Sequence, residues 1–148
     1  MEKTFTRVRS VKDIVIFSSL ITLGSILVVL PTGAGINITG FFMIFAGIIL
    51  ALVLRTGYRD TDSGEKFKMK EYYFQHTMNN VISDALKSKP GSIDLNEADK
   101  GNALKLDLYY SKTSGKAYMQ LNEYIPYRYE PCSQMYEYDI AEVQKLIK

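Results

Sequence analysis

The sequence predicts an α+β protein: a two-helix transmembrane hairpin followed by a small cytoplasmic domain. The order within that domain reads helix, three antiparallel strands, irregular arm and short helix. Three observations carry the prediction. Residues 14–54 include no charged side chain. Apolar residues then recur at helical spacing from Phe67 to Ala85, and apolar–polar alternation runs through residues 104–110 and 117–125. The chain divides accordingly into an N-terminal tail (1–13), a hairpin (14–54), a juxtamembrane linker (55–64) and a soluble α+β domain (65–148).

The uncharged run is the strongest of these signals, because each charge at a bilayer centre costs about 2.5–3.5 kcal/mol on insertion scales. As one helix it would reach about 60 Å, twice the ~30 Å hydrocarbon core. It is therefore read as two helices, 14–30 and 36–54, joined by a turn at 31–35, Pro31-Thr32-Gly33-Ala34-Gly35. The first stretch is longer than a signal-peptide core and is not followed by an Ala-x-Ala site, so it is read as retained. Asn37-Ile38-Thr39 matches a glycosylation acceptor but falls at the start of the second span, too close to the bilayer to serve as one.

Basic residues border the run on both sides: Lys3, Arg7, Arg9 and Lys12 before it, and Arg55, Arg59, Lys66, Lys68 and Lys70 after it. The turn between the spans has none, so the positive-inside rule puts both termini and the domain on the cytoplasmic side, at the inner membrane in a bacterium. Cys132 is the only cysteine, in keeping with a reducing compartment. Arg55, Tyr58 and Arg59 suit the bilayer interface. The basic residues through Lys70 can touch anionic headgroups, but Asp60, Asp62 and Glu65 dilute that attraction, which reads as orientation only.

Within the spans, Ser18, Thr22 and Ser25 share one helix face, and Gly40, Ile44, Gly47 and Ala51 share another. Small residues let backbones approach, and hydroxyls can bond across the contact. The two faces are expected to pack within one chain, with homo-oligomer formation as the other use. Neither span carries an ionisable residue, so a proton relay or ion path is not expected.

In the domain, Phe67, Phe74, Met78, Val81 and Ala85 predict a helix over 64–88, stopped by Lys89-Pro90-Gly91. Ile93 and Leu95 suggest a short strand. Leu104, Leu106, Leu108 and Tyr110 alternate along a second, and Ala117, Met119, Leu121 and Ile125 along a third, with Glu123 the odd member. Pro126 and Pro131 bracket an irregular arm. Asp139 with Glu142 reads as a capping box starting a helix whose apolar face is Ile140, Val143 and Ile147. Both helices are expected on the sheet face that bears Leu104, Leu106, Leu108, Met119 and Leu121.

This element order, and nothing else, is similar to that of double-stranded-RNA-binding domains, which present basic residues to phosphate at the start of their last helix. Here that start is Asp139-Ile140-Ala141-Glu142, and residues 71–148 hold 9 basic against 11 acidic side chains. Nucleic acid is excluded as a partner on that ground.

Tyrosine is the compositional oddity: 11 in the chain, with no tryptophan. Eight fall from Tyr109 to Tyr138. Tyrosine supplies apolar area with a polar handle and is enriched at recognition surfaces. Tyr109, Tyr118 and Tyr124 on the outward strand face, with Tyr127 and Tyr129 in the arm, are the candidate partner-binding residues. The same aromatics would otherwise cover the open side of a thin sheet or rest at the membrane interface.

Candidate chemistry is sparse. A catalytic Cys132 would need a base, and His76 is the only histidine, with no cue that brings it near. One histidine and one cysteine do not make a zinc set, and Glu123 and Glu130 stand without a further motif. Gly33, Gly35 and Gly40 lie in the hairpin, not between a strand and a helix, so no phosphate loop is present. No cofactor, metal or enzymatic activity is expected. The expected function is a membrane-tethered interaction module that docks a protein partner through its tyrosines. The alternative is a self-associating, membrane-active hairpin of pore or effector type with a regulatory soluble domain.

Overall fold

A computed structural model describes residues 3–148, which form two compact units: residues 5–59, and residues 60–148 together with Lys3 and Thr4. The first two residues of the expected tail lie outside the described residues.

The N-terminal unit begins with strand β1 (Phe5–Val8), placed beside β2 (Gly57–Asp60), so the expected tail and linker each contain a short strand. Between them run helix α1 (Val11–Val29) and helix α2 (Ala34–Val53), both long and apolar enough to cross a membrane. At about 1.5 Å per residue each reaches close to 30 Å. Ser10 caps α1 in a capping box with Asp13. The turn before α2 places Gly33 at φ +117°, a conformation open to glycine and costly for any side chain.

The helices meet at glycines. A Cβ on Gly24 would lie 2.7 Å from the Gly40 carbonyl oxygen, one on Gly40 2.7 Å from that of Gly24, and one on Gly47 2.7 Å from Ile21 Cγ1. Backbones this close leave no room for side chains, which is why these positions hold glycine. The α2 face of Gly40, Ile44 and Gly47 thus packs on α1, with Ala51 half-buried. The α1 side of the contact is Phe17, Ile21, Gly24 and Val28. Ser18, Thr22 and Ser25 are exposed instead, and the Ser25 hydroxyl donates to its own helix at Ile21 O, 2.7 Å. Gly24 offers the closer approach, so it turns the hydroxyl stripe away from α2.

In the C-terminal unit, β3 (Lys66–Phe74) replaces most of the helix expected over 64–88. The apolar stripe fits a helix, but Lys66-Phe67-Lys68-Met69-Lys70 alternates, and a strand lets Phe67 and Phe74 be buried on opposite faces. Only α3 (Asn79–Ser88) is α-helical, after a 3₁₀ turn at His76–Met78. The strand expected at Ile93 and Leu95 is absent. Two 3₁₀ turns, Pro90–Ser92 and Leu95–Glu97, occupy this stretch, with Asp94 bonding the Asn96 N–H.

The antiparallel sheet continues with β4 (Leu104–Ser111) and β5 (Lys116–Ile125), as the alternation predicts. The arm is more regular than expected. It supplies β6 (Arg128–Pro131) and β7 (Tyr136–Asp139), which both pair with β5, along residues 122–125 and 116–119. The Glu142 carboxylate does accept the Asp139 N–H, but helix α4 spans only Gln144–Ile147. The core lies on the sheet face bearing Leu104, Leu106, Leu108, Met119 and Leu121, covered by Ile82 and Leu86 of α3 and by Val143 and Leu146. Tyr72 and Tyr138 donate their hydroxyls to the Leu146 and Leu86 carbonyls, so buried polar tips stay bonded.

Candidate functional site

The β5–β6 hairpin closes in two residues, Pro126 and Tyr127, between the paired Ile125 and Arg128. Proline fixes φ near −65° at the first turn position, and Tyr127 follows at φ +75°, the pattern of a type II turn. That second position favours glycine, because a Cβ there crowds the backbone. Here it holds a tyrosine that is 97% exposed, so no packing accounts for the side chain.

Below the tip, the register sets Tyr124 opposite Tyr129. Their ring centroids lie 5.2 Å apart, and Tyr73 of β3 meets Tyr129 edge-on at 6.0 Å. The Tyr129 hydroxyl donates to the Asn102 carbonyl at 2.7 Å, fixing the ring, while Tyr124 stays 50% exposed. Together these tyrosines form an aromatic plate with a cation beside it: Lys105 Nζ lies 5.5 Å from the Tyr129 ring centre.

Lys105 is in turn held by Asp107 Oδ1 at 3.1 Å and Glu71 at 3.6 Å, and Asn122 Nδ2 donates to Asp107 Oδ2 at 2.9 Å. Burial pushes the Asp107 carboxyl pKa up despite the lysine beside it. Burial works against the charge of Lys105 as well, but its two carboxylates outweigh that and raise its pKa. The ammonium therefore stays charged under the plate.

Tyr118 and Tyr109 belong to a different environment. Tyr118 is only 3% exposed, edge-on to Phe67 at 5.6 Å with Lys3 Nζ 5.7 Å from its ring centre. The register pairs it with half-buried Tyr109 on β4. An open cavity of about 480 Å³ lies against Tyr118, lined also by Lys3, Gln120, Ser133 and Glu137. It exists because β6 and β7 leave a gap along β5. There Leu121 N–H bonds the Ser133 hydroxyl at 2.9 Å, and its carbonyl accepts the Cys132 and Ser133 N–H groups. Of the five candidate tyrosines, the structure thus brings Tyr124, Tyr127 and Tyr129 together at one hairpin and sets Tyr109 and Tyr118 apart. Tyr73 joins the first group unforeseen, since the sequence assigns it to a helix. Its position opposite Lys105 in the β3–β4 register is the signal that strand alternation would have given.

Cys132 and His76 share a neighbour rather than each other. His76 Nδ1 lies 3.1 Å from Glu123, and the Cys132 thiol pKa is pushed up by burial and by the same carboxylate. A raised pKa keeps the sulfur a thiol, the unreactive form. Glu130 sits opposite Glu123 and pairs with Arg128. Among the described residues no three of His, Cys, Asp and Glu are grouped to hold a metal. Comparison with protein-family models, curated proteins and solved structures returns no match to this chain.

Proposed function

We propose that this chain is a membrane-tethered interaction module. Its two apolar helices anchor it as a hairpin, with both termini on the cytoplasmic side, and the β5–β6 hairpin docks a protein partner. The observation that carries the reading is Tyr127. A bulky side chain in the left-handed region costs about 1–2 kcal/mol, and full exposure returns nothing to the fold. Strained backbone that the fold does not need is a mark of functional positions. Tyr124 and Tyr129 beside it extend the apolar surface, while Arg128, Glu130 and Glu123 lie on the other face of the hairpin.

A second reading rests on the exposed Ser18, Thr22 and Ser25 stripe. On a helix in lipid, outward hydroxyls suit a contact with another copy, giving a self-associating, membrane-active hairpin with the domain as regulator.

The test is capture of partners by tagged full-length chain, solubilised from its native membrane, for wild type, Tyr127→Gly and Thr22→Leu. A partner held by wild type and Thr22→Leu but lost from Tyr127→Gly supports docking. Recovery of only the chain itself, with self-association lost in Thr22→Leu, overturns docking in favour of the second reading.

A further inference from the structure

Strand β3 carries a row of three lysines, two of which the fold leaves exposed. Lys66, Lys68 and Lys70 occupy alternate positions, so they share one side of the strand. Lys66 and Lys68 are exposed, and no ion pair to either occurs among the described residues; Lys70 Nζ donates to the backbone carbonyl of Lys148 at 2.9 Å. The same side of β3 continues into the core at Tyr72 and Phe74, so the row begins where the helical cover ends.

The acidic residues that dilute this charge in the sequence are disposed otherwise in the fold. Asp60 is 1% exposed and bound to Lys3 at 2.6 Å. Asp62 lies 3.8 Å from that same lysine, and Glu65 accepts the Ser111 hydroxyl at 2.7 Å. Glu71, the remaining acid on β3, is on the opposite side and faces Lys105. Folding thus separates the two signs: the carboxylates are engaged, while Lys66 and Lys68 stay exposed and Lys70 meets only a backbone carbonyl.

We propose that the Lys66–Lys68–Lys70 row binds the anionic headgroups of the membrane that holds the hairpin. The inference rests on α1 and α2 spanning that membrane. Only 12 residues separate the end of α2 at Val53 from Lys66, a length that keeps Lys66 within about 45 Å of the helix end even if fully extended. Each lysine held at a charged leaflet gains about fivefold in binding, the equivalent of ~1 kcal/mol. The row would fix which side of the sheet turns to the lipid and so which residues stay available to a partner.

The experiment is amine-reactive footprinting of the full chain in nanodiscs, read by mass spectrometry at each lysine. One set of discs holds phosphatidylcholine alone, and the other includes about one-third phosphatidylserine. Labelling of Lys66 and Lys68 is expected to slow about fivefold in the anionic discs. It should recover in about 1 M salt, where screening shortens to ~3 Å, while Lys87 and Lys89 at the end of α3 stay unchanged. Equal labelling in both discs overturns the proposal. Equal protection by inorganic phosphate in neutral discs also overturns it, since the row would then be a site for soluble anions. A chain that fails to co-purify with either disc overturns the spans themselves, a different failure from labelling that ignores lipid charge.

Discussion

Asp13 and Thr56 tie the first turn of α1 to the residue just beyond α2. Asp13 Oδ2 accepts the Thr56 backbone N–H at 2.8 Å, and its Oδ1 accepts the Thr56 hydroxyl at 2.5 Å. The same carboxylate accepts the Ser10 N–H at 2.8 Å, and the Ser10 and Thr56 hydroxyls are 2.9 Å apart. One side chain therefore completes a helix cap and closes the open end of the hairpin. A buried carboxylate is tolerated because three donors point at it. Arg9 adds a further tie across the same end, donating to the Ala51 carbonyl at 2.5 Å.

The clamp predicts that Ser10→Ala costs more than the loss of an ordinary cap. An N-cap serine is worth about 1 kcal/mol, ~2 at the upper end, and here the hydroxyl also contacts Thr56. The expected loss is at that upper end, measured as a lower midpoint when the purified chain is unfolded by titrating denaturing detergent into mild micelles. Asp13→Ala should lower the midpoint further, since it removes both halves of the clamp. A Ser10→Ala midpoint equal to wild type would mean that Asp13 and Thr56 hold the hairpin end without the cap.

The glycine contact separates packing inside the hairpin from packing between hairpins. Gly24→Ala introduces a Cβ 2.7 Å from Gly40 O, where only backbone movement makes room. Overpacking of this kind costs about 1–3 kcal/mol and should lower the same detergent-unfolding midpoint. Thr22→Leu adds bulk at an exposed position and should change the midpoint by no more than about 0.5 kcal/mol. A Thr22→Leu midpoint as low as that of Gly24→Ala would place the hydroxyl face in the intramolecular contact.

Asp60 gives the C-terminal unit an acid limit. Burial alone would raise its pKa, but Lys3, the Ser63 hydroxyl and the Asp62 N–H together hold it at about 2, against 3.8 for the free side chain. A carboxyl whose folded pKa lies below its unfolded one adds stability above the unfolded value and loses it as pH falls through the folded one. The denaturation midpoint of the unit should therefore decline between about pH 4 and pH 2. Asp107 acts in the opposite direction, because burial has pushed its pKa up. Lys3→Met isolates the Asp60 contribution, and the acid-dependent loss should shrink in that variant. An identical pH profile for Lys3→Met and wild type would show that Lys3 does not hold the carboxylate charged.

Much of this architecture is legible in the sequence where one period dominates. The helices α1 and α2 follow from 41 uncharged residues around a Pro-Gly turn, and β4 and β5 from clean alternation. The misreading at β3 comes from two periods coexisting: Phe67 and Phe74 are seven residues apart, which suits a helix face, while the intervening lysines alternate as a strand. Pairing with β4 decided it, and that is a long-range fact. The same limit applies to the tyrosines. Alternation places Tyr118 and Tyr124 on one side of β5, but only the fold shows that Phe67 covers the first and leaves the second exposed. The positive φ of Tyr127 has no local signature beyond the proline before it, because a turn usually advertises that conformation with glycine or asparagine.

That turn supports the last prediction, which is one of stability. Tyr127→Gly removes a left-handed strain of about 1–2 kcal/mol and adds ~0.5–1 kcal/mol of unfolded-state freedom. The net effect should favour the folded state by about 0.5–1 kcal/mol, or several degrees in the Tm of a domain this size. Tyr124→Ala should do the reverse, because it breaks the ring pair with Tyr129, worth about 0.5–1.5 kcal/mol. Thermal unfolding of the two variants side by side reads both signs. A tyrosine that the fold would be more stable without, at a position exposed to solvent, has its reason outside the folded chain. A Tyr127→Gly protein that melts below wild type would instead make Tyr127 a structural residue of the hairpin and remove the strain argument for docking.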